Sequence, residues 1–289
     1  MPAHFAHYLF AEAVMERSFG SRFDELIRKH PSYVALGAQG PDLFFHNRRS
    51  KPSGLHYGSA LHRKRYGSFT AALLRELAAA EPDAPLASPF GLFTLSWASH
   101  AVLDRYCHPF INYFAGWGGA SAAEPSTHAF FERIVDVLML RRFRGLSPDV
   151  FDFAALIESE PEVPERLAGP IVAALRATFA QARDDEHIDR RVSNAFSDAL
   201  GFYRHTNRVG VTELRRRLGR DPGRDTTGVD PGALDTDAVD PGADPAVIDP
   251  AVRDRLRRQL SLLHPSWLPA DIDFANEGHA AWTHPCDAS

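Results

Sequence analysis

Residues 89–110 read PFGLFTLSWASHAVLDRYCHPF. Apolar residues recur there at spacings of three and four from 90 to 107, the period of a helix with one buried face. On that period His100, Asp104 and His108 are spaced four and four. Positions i and i+4 share a helix face, so His100 and Asp104 point the same way. Pro109 disfavours helical geometry at the residue before it, which predicts that His108 sits at the helix end. Imidazole and carboxylate on one face can hold a divalent metal, although the same spacing also describes a capped or surface-paired histidine.

The same period recurs in 5–19, 59–80, 127–144, 164–187 and 190–207, and strands are hard to find. These segments are rich in Ala, Leu, Arg and Glu, good helix formers. Breakers separate them: Gly37, Gly40 and Pro41; Pro52 and Gly54; Pro82, Pro85 and Pro89; Gly116 to Gly119; Pro161 and Pro164. The fold class is therefore all-α, a multi-helix bundle of seven to nine helices.

Residues 221–250 stand apart. Asp-Pro-Gly occurs at 221–223, 230–232 and 240–242, with no aromatic residue in the segment. So little apolar surface cannot offset the entropy of ordering, which predicts a long disordered acidic loop. Its aspartates do not match the spacing of a calcium loop. The expected organisation is a helical domain over 1–220, a flexible Asp/Pro/Gly-rich insertion over 221–250, and a C-terminal part over 251–289. That last part holds a helix at 251–263 and a tail that packs on the same domain.

Composition narrows the function. The chain has 289 residues, 44% of them hydrophobic, ample for a real core. Lys+Arg 32 against Asp+Glu 37 gives a net charge of -5, without the basic excess a general nucleic-acid binder needs. Fourteen histidines stand against two cysteines, Cys107 and Cys286. Metal chemistry would have to rest on imidazole and carboxylate, since two thiols build neither a disulfide framework nor a thiolate zinc site. The N-terminus lacks a basic region and an uninterrupted apolar core. The stretch Pro89–Leu103, broken by Ser96, Ser99 and His100, falls short of the ~20 apolar residues of a membrane span. A cytoplasmic protein with no transmembrane segment is expected.

Further candidates lie around the first face. His128 and Glu132 are four apart, and their face continues through Val135 and Met139 as the expected buried stripe. A histidine and a glutamate there are costly unless paired or metal-bound, and the two readings stand about even. The N-terminal helix offers His4 and His7. The loop GAQGPDLFF at 37–45 presents Asp42, and His56 and His62 lie before or at the start of a helix. Phe44, Phe45, Phe110 and Tyr113 either line the cleft or belong to the core. Cys107 reads as a small buried hydrophobe. His187 and His205 read as ordinary surface or core residues.

In order, HYLFA, GAQGPDLFF, LHRKRYGSF, SHAVLDRYCHPF and THAFFE resemble the bacterial zinc-dependent phospholipase C family, grouped with the S1/P1-type nucleases. The resemblance covers about 4–145. It implies a helical bundle with a trinuclear zinc cleft. By motif, Asp42, His62, His100 and Asp104 would hold one zinc. Asp104 would bridge to a second zinc held by His7, and His108, His128 and Glu132 would hold the third. It further implies a metal-bridging hydroxide attacking phosphorus, with Asp42 doubling as general base and the third zinc stabilising the leaving oxygen. Iron or manganese suits the same ligands.

The chain departs from the family in three places. Secreted members bind zinc through an N-terminal tryptophan, where this chain has Met1 and Pro2, leaving His4 or the Pro2 amine as substitutes. The interval from Asp104 to His108 is shorter than in secreted enzymes. Leu43 follows Asp42 where choline-specific enzymes carry an aromatic residue. His56 remains an alternative to His62. The expected partner is a phospholipid or another phosphoester, with no strong nucleic-acid signal and no oligomeric state implied. No membrane-docking domain is evident, so attack on packed bilayers is not expected. The competing readings are an S1/P1-type nuclease or nucleotidase and a non-catalytic metal- or lipid-binding helical protein.

Overall fold

A computed structural model of the chain describes residues 4–114, 125–146 and 151–204; within 109–134 it describes the side chains of Ile111 and Glu132 alone. The helices are α1 (His4–Phe19), α2 (Ser21–Lys29), α3 (Pro31–Gln39), α4 (Asp42–Phe45), α5 (Leu55–Arg63) and α6 (Tyr66–Ala80). A 3-10 turn at Pro85–Ala87 leads to α7 (Pro89–Phe114), followed by α8 (Pro125–Arg144) and α9 (Phe153–Glu158). The order closes with α10 (Val163–Thr178), α11 (Ala180–Arg183) and α12 (Ile188–Tyr203). The described residues are 80% helical with no strand, which is the all-α class that the periodicity predicts.

Twelve helices among the described residues replace the expected seven to nine, because tertiary contacts divide some periodic runs and make others helical. The run 59–80 breaks at Arg65, which has φ 61. Its guanidinium donates to the Thr178 carbonyl on α10 at 3.3 Å, so a long-range contact supports a local left-handed turn. The run 164–187 breaks at the extended, buried Phe179. His62 lies in the last turn of α5, not at a helix start. Nor does α7 end at His108; it continues to Phe114. Packing of α7 on α1, α3, α6 and α8 outweighs the local bias before Pro109. Residues 205–289, which include His205, the acidic loop and the C-terminal helix and tail, lie outside the described residues.

The centre of the bundle is α3, buried from Ser32 to Gln39 and packed against α1, α7 and α9. Two of the expected breakers, Gly37 and Gly40, belong to this element or its end. Gly37 is helical, and a Cβ there would lie 2.4 Å from the Phe93 backbone oxygen on α7. Glycine is present because two helix backbones touch, and the chain does not turn there. Around this pair, α6 packs on α10 and α10 on α12. The buried face of α12 is Ile188, Val192, Ala195, Phe196, Ala199 and Tyr203, spaced as one helical stripe.

The chain from 46 to 54, which leaves α4, is anchored to α12 by one buried carboxylate. Asp198 Oδ2 accepts from the amides of Arg49 and Ser50, both at 2.9 Å, and from Asn47 Nδ2 at 3.1 Å. Its Oδ1 accepts from Ser50 Oγ at 2.7 Å. Burial would raise the Asp198 pKa, but these donors outweigh it and lower it. No described helix is long and apolar enough to cross a membrane.

Two outcomes follow from this packing. Gly37→Ala forces α3 and α7 apart and should cost about 1–3 kcal/mol, or roughly 2–4 °C of melting temperature per kcal/mol. Asp198→Asn should cost about 2 kcal/mol at neutral pH through weakened donors. The native contribution of Asp198 is fully present above the ordinary carboxylate pKa and is lost as pH falls through its lowered folded pKa. Thermal melts against pH should therefore show a shallower acid-side loss of stability for the Asp198→Asn variant than for the native chain.

Candidate metal centre

Five helices deliver one cluster. His100, Asp104 and His108 come from α7, His7 from α1, Asp42 from the first turn of α4, His62 from the end of α5, and Glu132 from α8. Asp104 is the centre. Its Oδ1 lies 3.2 Å from His7 Nε2 and 3.5 Å from His108 Nε2. Its Oδ2 lies 3.1 Å from His100 Nε2 and 4.0 Å from His62 Nε2. Asp42 Oδ1 lies 3.0 Å from His62 Nε2 and its Oδ2 3.8 Å from His100 Nε2. To one side, His108 Nε2 meets Glu132 Oε1 at 3.2 Å.

Second contacts orient the rings. His100 Nδ1 faces the Ala38 carbonyl at 3.0 Å, one of the carbonyls left open at the end of α3. His62 Nδ1 faces the Gly58 carbonyl at 2.8 Å. A ring that donates Nδ1–H to a carbonyl turns the Nε2 lone pair to the other side, as metal-ligating histidines do. His7 and His100 stack with centroids 4.0 Å apart and planes at 16°. Gly40, at φ 53, lets the chain pass this pair, since a Cβ there would sit 2.6 Å from His100 Cγ.

The electrostatics are those of cation ligands largely withdrawn from solvent, with Asp104, His62 and His108 only partly exposed. His100 Nε2 and His7 Nδ1 are buried and make no aligned hydrogen bond. Burial works to lower the His100 pKa, but Asp104 and Asp42 outweigh it and raise it to about 9. Burial and the neighbouring His100 keep the His7 pKa low. Burial opposes ionisation of Asp104, yet His100 and His7 hold it well below the carboxylate range. His62 is raised against burial by its contact with Asp42, and His108 against burial by Glu132 and Asp104. The buried Asp42 and Glu132 and the partly buried Asp104 would be costly alone, so the cluster is organised for positive charge. Two groups, His7–Asp42–His100 and His62–His100–Asp104, each place three ligand atoms within 4.8 Å of one another, a fit for a metal ion.

The family model of zinc-dependent phospholipase C matches residues 1–201. The chain belongs to that family. No curated protein and no solved structure matches it. The match runs well past the 4–145 that the motifs cover and takes in α9, α10, α11 and nearly all of α12.

Within this zinc-dependent phospholipase C frame, seven of the eight candidate residues converge. His128 lies on α8 one turn before Glu132, and its side chain is outside the described residues. Of the two histidines near α5, His62 reaches the cluster, while His56 is exposed and rests against Tyr57. His4 packs against Phe5, Phe153 and Tyr203, with Nδ1 3.8 Å from Asp136. Pro2 lies outside the described residues, as do the side chains of Phe110 and Tyr113. Phe44 is core, whereas Phe45 stacks on His62 at 4.6 Å. Cys107 is only partly buried, and His187 is exposed.

The expected buried stripe on α8 is displaced. Val135 and Met139 are half-exposed, and the buried line is Glu132, Asp136, Val137 and Leu140. Treating apolar residues alone as buried hides Asp136. Its Oδ1 accepts the Ala6 amide at 2.8 Å and fixes the first turn of α1 beside His7. Its spacing of four from Glu132 is the available signal. Tyr66, parallel to the His100 ring, donates its hydroxyl to the Trp97 carbonyl and has no local signal.

Gly40→Ala should push the His100 ring out of line. Zinc retained after dialysis should fall by at least one equivalent, with thermal stability of the metal-free protein lowered by only about 1–2 kcal/mol.

Proposed function

We propose that this cleft hydrolyses the phosphodiester of a phospholipid headgroup. Zinc would be held among His7, Asp42, His62, His100 and Asp104, and at a further position among His108, His128 and Glu132. The observation that supports this most is the division of Asp104. One oxygen faces His7 and His108 and the other faces His100 and His62. A carboxylate with imidazoles on both oxygens would be able to serve two cations, the donor arrangement that two-metal phosphoester chemistry uses.

Bound zinc lowers the pKa of water towards ~7 and neutralises charge on phosphoryl oxygens. The remaining work belongs to the chain. Asp42, buried and aligned by His62, accepts the proton that water releases as its oxygen bonds to phosphorus. The phosphorus–oxygen bond to diacylglycerol then breaks, the leaving oxygen takes a proton from solvent water, and Asp42 returns its proton to solvent. Glu132 and His108 meet each other beside Asp104, His108 lying 3.5 Å from its Oδ1. Phe45 forms an apolar wall against His62. Leu43 is buried in the core, so the residue after Asp42 presents no aromatic face to a choline.

The test is metal analysis together with turnover. Zinc-reconstituted protein should hold roughly two to three ions per chain. Asp104→Asn should lose at least one of them and slow cleavage of a dispersed short-chain phospholipid by at least about a hundredfold. Protein that stays empty after reconstitution, or that cleaves single-stranded DNA but no phospholipid, would overturn the reading.

A further inference from the structure

Between Asp42 and Glu76 the chain contains seven Lys or Arg residues and no Asp or Glu, in a protein whose net charge is -5. This stretch is the α4–α5 segment, the part that carries Asp42 at one end and His62 near the other, and it runs on into α6. Six of the cations fall in two groups. Arg48, Arg49 and Lys51 leave α4, and Arg63, Lys64 and Arg65 follow His62 directly. All six are exposed.

Half of them are engaged. Arg49 pairs with Asp198 at 3.8 Å, Arg65 donates to the Thr178 carbonyl, and Arg48 Nε donates to the Phe45 carbonyl at 3.1 Å. Lys51, Arg63 and Lys64 have no acidic partner within 4.0 Å among the described residues. Free cations here are not balancing the site, because the site carboxylates are already met by imidazoles. Phe45 is half-buried, one ring face on His62, the residue directly before Arg63 and Lys64. Exposed cations directly after a site histidine, with a partly exposed aromatic ring stacked on that histidine, have the composition of a surface that rests on acidic headgroups.

We propose that the α4–α5 segment is the face this protein lays on an anionic phospholipid bilayer. Lys51, Arg63 and Lys64 meet the headgroups and Phe45 enters the interface beside His62. This rests on the phospholipid reading of the cleft, and it places the mouth of the site against its substrate without a separate docking domain.

The test is sedimentation of the full-length, zinc-loaded protein with vesicles of phosphatidylcholine alone and of phosphatidylcholine with phosphatidylglycerol. The protein should pellet with the acidic vesicles only, and high salt should release it. Combining Lys51→Ala, Arg63→Ala and Lys64→Ala should weaken that partition on the order of a hundredfold, at about fivefold per cation. The charge-keeping pair Arg63→Lys and Lys64→Arg should still pellet. Turnover of a dispersed short-chain phospholipid should be unchanged in both variants. Equal pelleting with both vesicles, an alanine variant that pellets like the native chain, or binding to single-stranded DNA in preference to acidic vesicles overturns the proposal. Pelleting needs no turnover. Protein that pellets yet cleaves no dispersed lipid leaves the docking face standing and removes the phospholipase reading; cleavage without pelleting does the reverse.

Discussion

The whole site depends on the enclosure of the partly buried Asp104 among imidazoles. A carboxylate taken out of water is unfavourable by several kcal/mol unless compensated, and here four ring nitrogens, from α1, α5 and its own helix, approach its two oxygens. That requirement sets the positions of α1, α5 and α7 relative to one another. It also explains why Asp136 and Asp198 recur as buried anchors. Each fixes a segment that must hold still: Asp136 the start of α1 by His7, Asp198 the chain leaving α4 by Asp42.

Close backbone contact makes the burial possible. At Gly37 the α3 helix touches α7, and at Gly40 the chain passes the His100 ring with no room for a side chain. The Ala38 carbonyl between these glycines is the one that orients His100. Packing and ligand geometry are thus set by the same short stretch, 37–40. A change there acts on stability and on the site together.

Charge is sorted by depth. The site carboxylates are held by imidazoles, whereas the charged side chains between Asp42 and Glu76 are all cations, six of them exposed in 48–65. A net charge of -5 conceals this, because it averages an acid-free segment with the rest of the chain. Membership of the zinc-dependent phospholipase C family gives the interior its chemistry. The exterior of α4–α5 is a property of this chain's own residues.

Helical periodicity is enough to determine the all-α class, and spacings of four put His100 with Asp104 and His128 with Glu132, because those relations are local in the chain. Helix ends are less legible. The breaks and continuations at Arg65, Phe179 and Pro109 follow contacts made by distant elements, so local propensity misplaces them. Choosing His62 over His56 rests on the motif that follows it, and only folding shows that the last turn of α5 reaches Asp42. Asp136 and Gly40 are invisible as site-builders, since one is a buried acid that needs an amide from 130 residues away and the other a turn that needs a ring beside it. Residue chemistry and spacing select which side chains are able to hold a metal. Their convergence is decided in three dimensions, because burying two carboxylates is favourable only where five separate helices bring them and their imidazoles to the same point.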